Sequence, residues 1–142
     1  MNKLLSLYNK LSDLGIRFYT WDLDSYKAAT IEIDNKYGIF VDLSNIQTSA
    51  EEIVVIAHEG GHAVTGSTHK LYSPYELIEK HENTADKWAI EHTITADELD
   101  DAIAQGCDEY WQLAERFGVT EDFVRKAVCW YTYGNLAADQ FL

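Results

Sequence analysis

The stretch Ala57-His58-Glu59-Gly60-Gly61-His62-Ala63 decides the reading of this chain. It spells H-E-x-x-H, and the apolar run Ile53-Val54-Val55-Ile56 precedes it. On an α-helix, positions i and i+4 share a face, so His58 and His62 aim their imidazoles at one point. Two imidazoles suit Zn²⁺, and Glu59 stands beside the first, placed to take a proton from a water activated there. Two neutral ligands do not complete a zinc site, so a third must come from elsewhere in the chain. The helix has a strong start at Thr48-Ser49-Ala50-Glu51-Glu52, where both Thr48/Glu51 and Ser49/Glu52 fit the spacing of a capping box. It is expected to run roughly from Ser49 to Thr65. Gly60 and Gly61 are unusual inside a helix, each costing about 1 kcal/mol relative to Ala. Close approach of a neighbouring element explains them best.

The third ligand is sought in the next helix, about 74–94. It opens Ser73-Pro74-Tyr75-Glu76, with Ser73 as N-cap, Pro74 at the first helical position and Glu76 closing the box. Glu82, Asp86 and Ala89 fall on one face, with Ala85 beside them. Small alanines allow this helix to lie close to the motif helix. Glu82 then reaches the metal. Asp86, one turn on, accepts the ring N–H of a ligating histidine, which fixes its tautomer. Glu79, His81 and His69 are the other candidates for the third ligand, ranked below Glu82 because Asp86 has a role on the same face.

The two segments together resemble a known family. His58-Glu59-Gly60-Gly61-His62 followed by Glu82-Asn83-Thr84-Ala85-Asp86-Lys87-Trp88-Ala89 is similar to the ImmA/IrrE metallo-endopeptidases of bacteria, prophages and mobile elements. Those carry H-E-x-x-H and then a helix of the type E-x-x-A-(N/D)-x-(F/W)-A. The resemblance spans roughly residues 30–130. It implies a gluzincin-like zinc domain with Glu82 as third ligand, and limited proteolysis of a repressor or other regulatory protein. Gly60 departs from the pattern, since many members carry a larger apolar residue there.

The remaining residues bound the answer. A chain of 142 residues suits one domain with a real core. The formal charge of −13 repels phosphate backbones, so nucleic acid is not expected as a partner. Cys107 and Cys129 match no metal or redox spacing and read as buried thiols in a reducing compartment. The N-terminus is too polar for a signal peptide, and no apolar run spans a bilayer, which points to a cytoplasmic protein without membrane partners.

Leu4, Leu7, Tyr8, Leu11 and Leu14 repeat with helical spacing up to Gly15. Ile16–Thr20, Ala29–Ile33 and Ile39–Leu43 alternate like strands, and the last two are expected to form a hairpin turning through Asp34–Gly38. An edge strand beside the metal suits a peptidase, because an extended substrate can add to it as a further strand. Three helices follow, starting at Thr95, near Tyr110 and at Thr120. The segment Leu113–Thr120 resembles the centre of a helix-turn-helix. The helix after it opens Glu121-Asp122 and offers only Arg125 and Lys126, so a structural pair is expected instead of a DNA reader.

The expected fold is a single α+β, zincin-like domain over 1–142, a small three-stranded sheet packed on about five helices. The sheet and H-E-x-x-H helix take about 16–66, the third-ligand helix about 74–94, and the C-terminal helical part about 96–133. The expected function is zinc-dependent endoproteolysis of a regulatory protein such as a helix-turn-helix repressor. His58, His62 and Glu82 are the expected metal ligands, Glu59 the catalytic base and Asp86 the supporting carboxylate. Tyr72, Tyr75, His69, His81 and Tyr131 are the candidate oxyanion donors. The alternative is a zinc-fold binding module without proteolysis.

Overall fold

The computed structural model describes residues 2–68 and 74–136. Helix α1 (Lys3–Asp13) leads into strands β1 (Arg17–Thr20), β2 (Ala28–Ile33) and β3 (Lys36–Val41). After a short 3₁₀ turn at Leu43–Asn45 come α2 (Ser49–Thr65), α3 (Tyr75–Thr93), α4 (Ala96–Ala104), α5 (Tyr110–Phe117) and α6 (Glu121–Tyr133). The architecture is α+β in one unit, with six helices among the described residues where about five were expected.

The sheet is mixed, in the order β1-β3-β2, with β1 parallel and β2 antiparallel to β3. The hairpin is tighter than its sequence suggested. Asp34 and Asn35 alone form the loop, at φ of 52° and 63°. Two left-handed residues in succession give a turn whose twist matches the strands, and Asp and Asn tolerate that conformation best after Gly. Lys36, Tyr37 and Gly38 therefore belong to β3 and not to the turn, and Leu43 falls in the 3₁₀ turn. Gly38 lies under the Tyr19 ring, where a Cβ would come within 3.1 Å of it.

Alternation in β2 holds, but its isoleucines face outward. Ile31 and Ile33 are 43% and 55% exposed, whereas Ile39 and Val41 of β3 are buried against the helices. Thr30, paired with Ile39, is thus the β2 residue turned toward α2.

Helix α2 runs over the span expected. Thr48 caps it by accepting from the Glu51 N–H at 3.1 Å, and Gly66 ends it at φ 67°. It is the central helix, with α1 on one side and α3 on the other, and both glycines mark contacts. A Cβ at Gly60 would lie 2.7 Å from Leu11 Cδ1, and one at Gly61 would lie 2.4 Å from the Ala85 carbonyl oxygen. Leu11 thus occupies the space that a larger residue at position 60 would take. Ala85 and Ala89 of α3 are fully buried, as the close-packing reading requires. The core continues through Ile56, Ile90, Ile94 and Val124.

Helix α3 begins at Tyr75, with Pro74 in the cap position and no side-chain cap bond. Ser73, the expected N-cap, lies outside the described residues. Helix α4 carries the capping box read at Thr95 and Glu98. Gly118, at φ 68°, separates α5 from α6. The two cations expected of a DNA-reading helix face protein groups instead. The Arg125 guanidinium sits 5.3 Å from the Tyr110 ring centroid, and Lys126 approaches Asp86 at 3.4 Å. No helix among the described residues is long and apolar enough to cross a membrane. Cys107 and Cys129 are both thiols, the first half-buried and the second buried.

Candidate metal centre and active site

Three side chains from two helices converge. His58 Nε2 lies 2.7 Å from Glu82 Oε2, His62 Nε2 lies 3.1 Å from Glu82 Oε1, and the two Nε2 atoms are 3.2 Å apart. Ligand atoms 2.0–2.2 Å from a tetrahedral zinc stand about 3.3 Å from one another. His58, His62 and Glu82 form the group among the described residues able to hold a metal ion. Helix pitch supplies the histidine pair. The Gly61–Ala85 contact brings α3 near enough for Glu82 to meet them.

The outer ring nitrogens show what the inner ones are for. His58 Nδ1–H donates to Asp86 Oδ1 at 2.7 Å, and His62 Nδ1–H donates to the Ser67 carbonyl at 2.7 Å. With both Nδ1 positions so used, each ring, on giving up its Nε2 proton, turns a lone pair toward the other and toward a carboxylate. Three acceptors then face one point, an arrangement that a cation satisfies. Proton affinities tell the same story. Burial opposes charging of His58, but its hydrogen bonds to the Asp86 and Glu82 carboxylates outweigh it and raise its pKa to about 10. His62 is also raised, burial again opposing Glu82 and the Ser67 carbonyl. Hydrogen bonds from His58 and His62 hold the Glu82 carboxyl well below the usual range. Burial works against the charged form of Asp86, and His58 and Lys126 together still keep its pKa low. A field that draws a proton this strongly also draws a divalent cation.

Glu59 stands apart from that set. Its Oε2 accepts from Thr30 Oγ1 at 2.6 Å, which fastens the carboxylate to the β2 edge. Ala28, Ala29, Thr30, Glu59, His62 and Glu82 line one hollow. The space in front of the ligand atoms is therefore bounded by the edge strand and by Glu59.

The structure brings together His58, Glu59, His62, Glu82 and Asp86. Glu79 is exposed on α3, and it and His81 are not part of the convergent group. His69 and Tyr72 lie outside the described residues, as does the Tyr75 side chain. Tyr131 is not an oxyanion donor here, because its hydroxyl donates to the Ile94 carbonyl at 2.7 Å. Sequence reasoning missed Thr30, Ser67 and Lys126. Thr30 looks like any strand threonine, Ser67 acts through its backbone, and Lys126 is distant in sequence. Only the αL end of α2 at Gly66, which folds Ser67 back over the last turn, left a trace in the sequence.

An H-E-x-x-H helix joined by a glutamate of the following helix, in a small α+β domain, has the form of a metallopeptidase centre. The profile of the Peptidase_M78 family, described as the IrrE N-terminal-like domain, matches residues 11–128. The chain belongs to this family, which places it among the metallopeptidases, and the match begins well before the roughly 30–130 covered by the motifs. No curated protein and no solved structure matches the chain at a significant level.

Proposed function

We propose that the protein is a zinc-dependent endopeptidase acting on a regulatory protein such as a helix-turn-helix repressor, in the cytoplasm. The observation that supports this best is the convergence of His58 Nε2, His62 Nε2 and Glu82, both histidines being anchored by their Nδ1 atoms. These residues would hold the zinc. When bound, zinc supplies Lewis acidity, polarising a carbonyl and making water acidic enough to serve as a nucleophile near pH 7.

The chain's own groups do the remainder. Asp86 and the Ser67 carbonyl orient the two rings. Glu59, held by Thr30, takes the proton of the attacking water and delivers it to the leaving amine. Strand β2 is an edge of the sheet, and its Ala28–Thr30 segment borders the hollow, so an extended peptide can add there. The acidic surface of the chain favours a protein partner over nucleic acid.

Elemental analysis of protein purified without chelators is expected to give one zinc per chain, as a single ligand set requires. The zinc-loaded protein is expected to cut a repressor encoded beside it, to stop on treatment with a chelator and to recover with added zinc. Absence of metal after such a purification, or cleavage that ignores the chelator, sinks the reading. Within the ligand set, Glu82→Ala is expected to abolish tight zinc binding. Asp86→Ala weakens it by about 10–100-fold, and Glu79→Ala leaves it unchanged. Competition with a chromophoric zinc chelator measures all three. Normal affinity in Glu82→Ala removes that residue from the site.

A further inference from the structure

The sheet turns one face to α2 and the other to solvent. Its register identifies the outer residues, because cross-strand partners point the same way. Arg17, Gly38 and Ile31 form one row, Tyr19, Phe40 and Ala29 the next, and Lys36 and Ile33 a third. Thr30, paired with Ile39, points to the opposite side, toward α2. A sheet face turned to water ordinarily carries polar residues. This one carries Tyr19, Ile31 and Ile33, all exposed, and Trp21 just beyond β1 is 63% exposed. The Tyr19 ring stacks on Phe40 at 5.0 Å, and Trp21 meets Phe40 edge-on at 5.9 Å, so the aromatics form one continuous platform. At the Arg17 and Lys36 end the platform runs into a hollow of about 860 Å³, with Leu14, Ile16, Phe18, Tyr37 and Val64 in its walls. Arg17, Tyr19 and Lys36 line both.

Charge sets this surface apart. The chain has 24 acidic and 11 basic residues. No carboxylate stands at the outward strand positions or among the described residues of the hollow. Arg17 and Lys36 are exposed, and neither forms an ion pair with the described residues, whereas Lys27 and Lys126 each meet a carboxylate of the chain. An exposed apolar patch of this extent marks an interaction site. Two unpaired cations beside it select a partner that brings carboxylates. Phosphate polymers and anionic membranes are repelled by a chain at −13 before two cations can hold them. A second copy in an isologous contact would bring the same two cations and no carboxylate from this face.

The form of the partner follows from what the face offers, which is side chains and not strand-edge backbone. An extended peptide laid across it would leave its own amides unpaired against Trp and Ile, whereas a helix satisfies its backbone internally. The strands are 4, 6 and 6 residues long, a length that about three turns of helix match. We propose that this face docks an amphipathic, acidic helix of a protein partner, with the apolar stripe on Tyr19, Trp21, Ile31, Ile33 and Phe40 and the carboxylates over Arg17 and Lys36. The face lies across the sheet from the side on which Thr30 meets Glu59, so docking there is separate from the metal centre and does not rest on the peptidase reading.

The test selects binders of the full chain from a display library of randomised helical peptides and measures them by calorimetry. The selected peptides are expected to carry an apolar i, i+3, i+4, i+7 stripe with acidic residues beside it. Trp21→Ser, at an exposed position, is expected to weaken them about 30-fold. The double change Arg17→Glu with Lys36→Glu is expected to weaken them about tenfold and to give binding to counterparts whose acidic residues are replaced by lysine. A misfolded variant would not exchange its charge preference in this way. Selected peptides that ignore Trp21→Ser, or that show no acidic preference, overturn the proposal. A dimer of the free chain that Trp21→Ser dissociates in sedimentation also overturns it and gives the face to a second copy. Binding to phosphatidylserine vesicles or to an oligonucleotide that Trp21→Ser abolishes overturns it in favour of a membrane or a nucleic acid.

Discussion

Glu59→Gln is expected to keep the fold and the zinc and to lose about 10²–10⁴-fold in kcat/KM. Glu59 is outside the convergent ligand group, so nothing in the substitution touches metal affinity. Glutamine has nearly the same shape, and its amide oxygen can still accept from Thr30 Oγ1, which now holds the carboxylate at 2.6 Å. It cannot accept the proton of the attacking water. The measurement is a cleavage assay on the candidate repressor beside a cell-based readout of derepression, with zinc content and thermal midpoint followed in parallel. Loss of both cleavage and derepression at full zinc content supports the enzyme. Derepression without cleavage makes the protein a binding module whose zinc is structural, and loss of zinc assigns Glu59 to the metal site.

Gly61→Ala is expected to damage stability and site together, unlike the same change one residue earlier. The added Cβ would stand 2.4 Å from the Ala85 carbonyl oxygen and 2.9 Å from its Cα. These are backbone atoms of α3 and cannot rotate away, so α3 must retreat by about 1 Å to restore ordinary contact. Overpacking of this kind costs about 1–3 kcal/mol, partly offset by about 1 kcal/mol of improved helix propensity. A net loss of about 1 kcal/mol lowers Tm by roughly 3–5 °C in a chain of this size. The larger effect is on function, because Glu82 and Asp86 retreat with α3. A displacement of about 1 Å at a positioned group can cost on the order of 10²-fold in rate. Gly60→Ala is the comparison. Its Cβ meets the methyl groups of Leu11 in α1, at 2.7 and 2.8 Å, and none of its nearest contacts is in α3. Leu11 can change rotamer, so stability falls modestly while zinc affinity is retained. Thermal melts and zinc titrations of the two variants distinguish them. Equal zinc affinity in both would mean that the α2–α3 distance does not set the site.

The candidate metal ligands were legible in residue type and in the helix face they share, because both depend on local geometry. Helical pitch places His58 above His62, and the same pitch places Glu82 above Asp86, so a 3.6-residue period decides which residues share a face before any tertiary contact forms. The two glycines were legible as a cost without an obvious return, which implied a close neighbour. Caps at Thr48 and Thr95 and the stop at Gly118 are likewise short-range chemistry. The hairpin was read only in outline. Its length turned on whether Asp34 and Asn35 would both adopt positive φ, and the Gly at position 38 drew the expected turn too far along the chain.

What sequence could not supply is long-range partnership. Thr30 meets Glu59 because β2 is the sheet edge that lies over α2, and strand order is fixed by how the whole sheet packs. Lys126 reaches Asp86 across 40 positions of chain. Residue types at helical spacing along α2 and along α3 determine which atoms can bind a metal. The packing of helices and sheet against those helices decides how the atoms are held and which carboxylate is restrained beside them, because those distances are set by tertiary contacts that no local periodicity encodes.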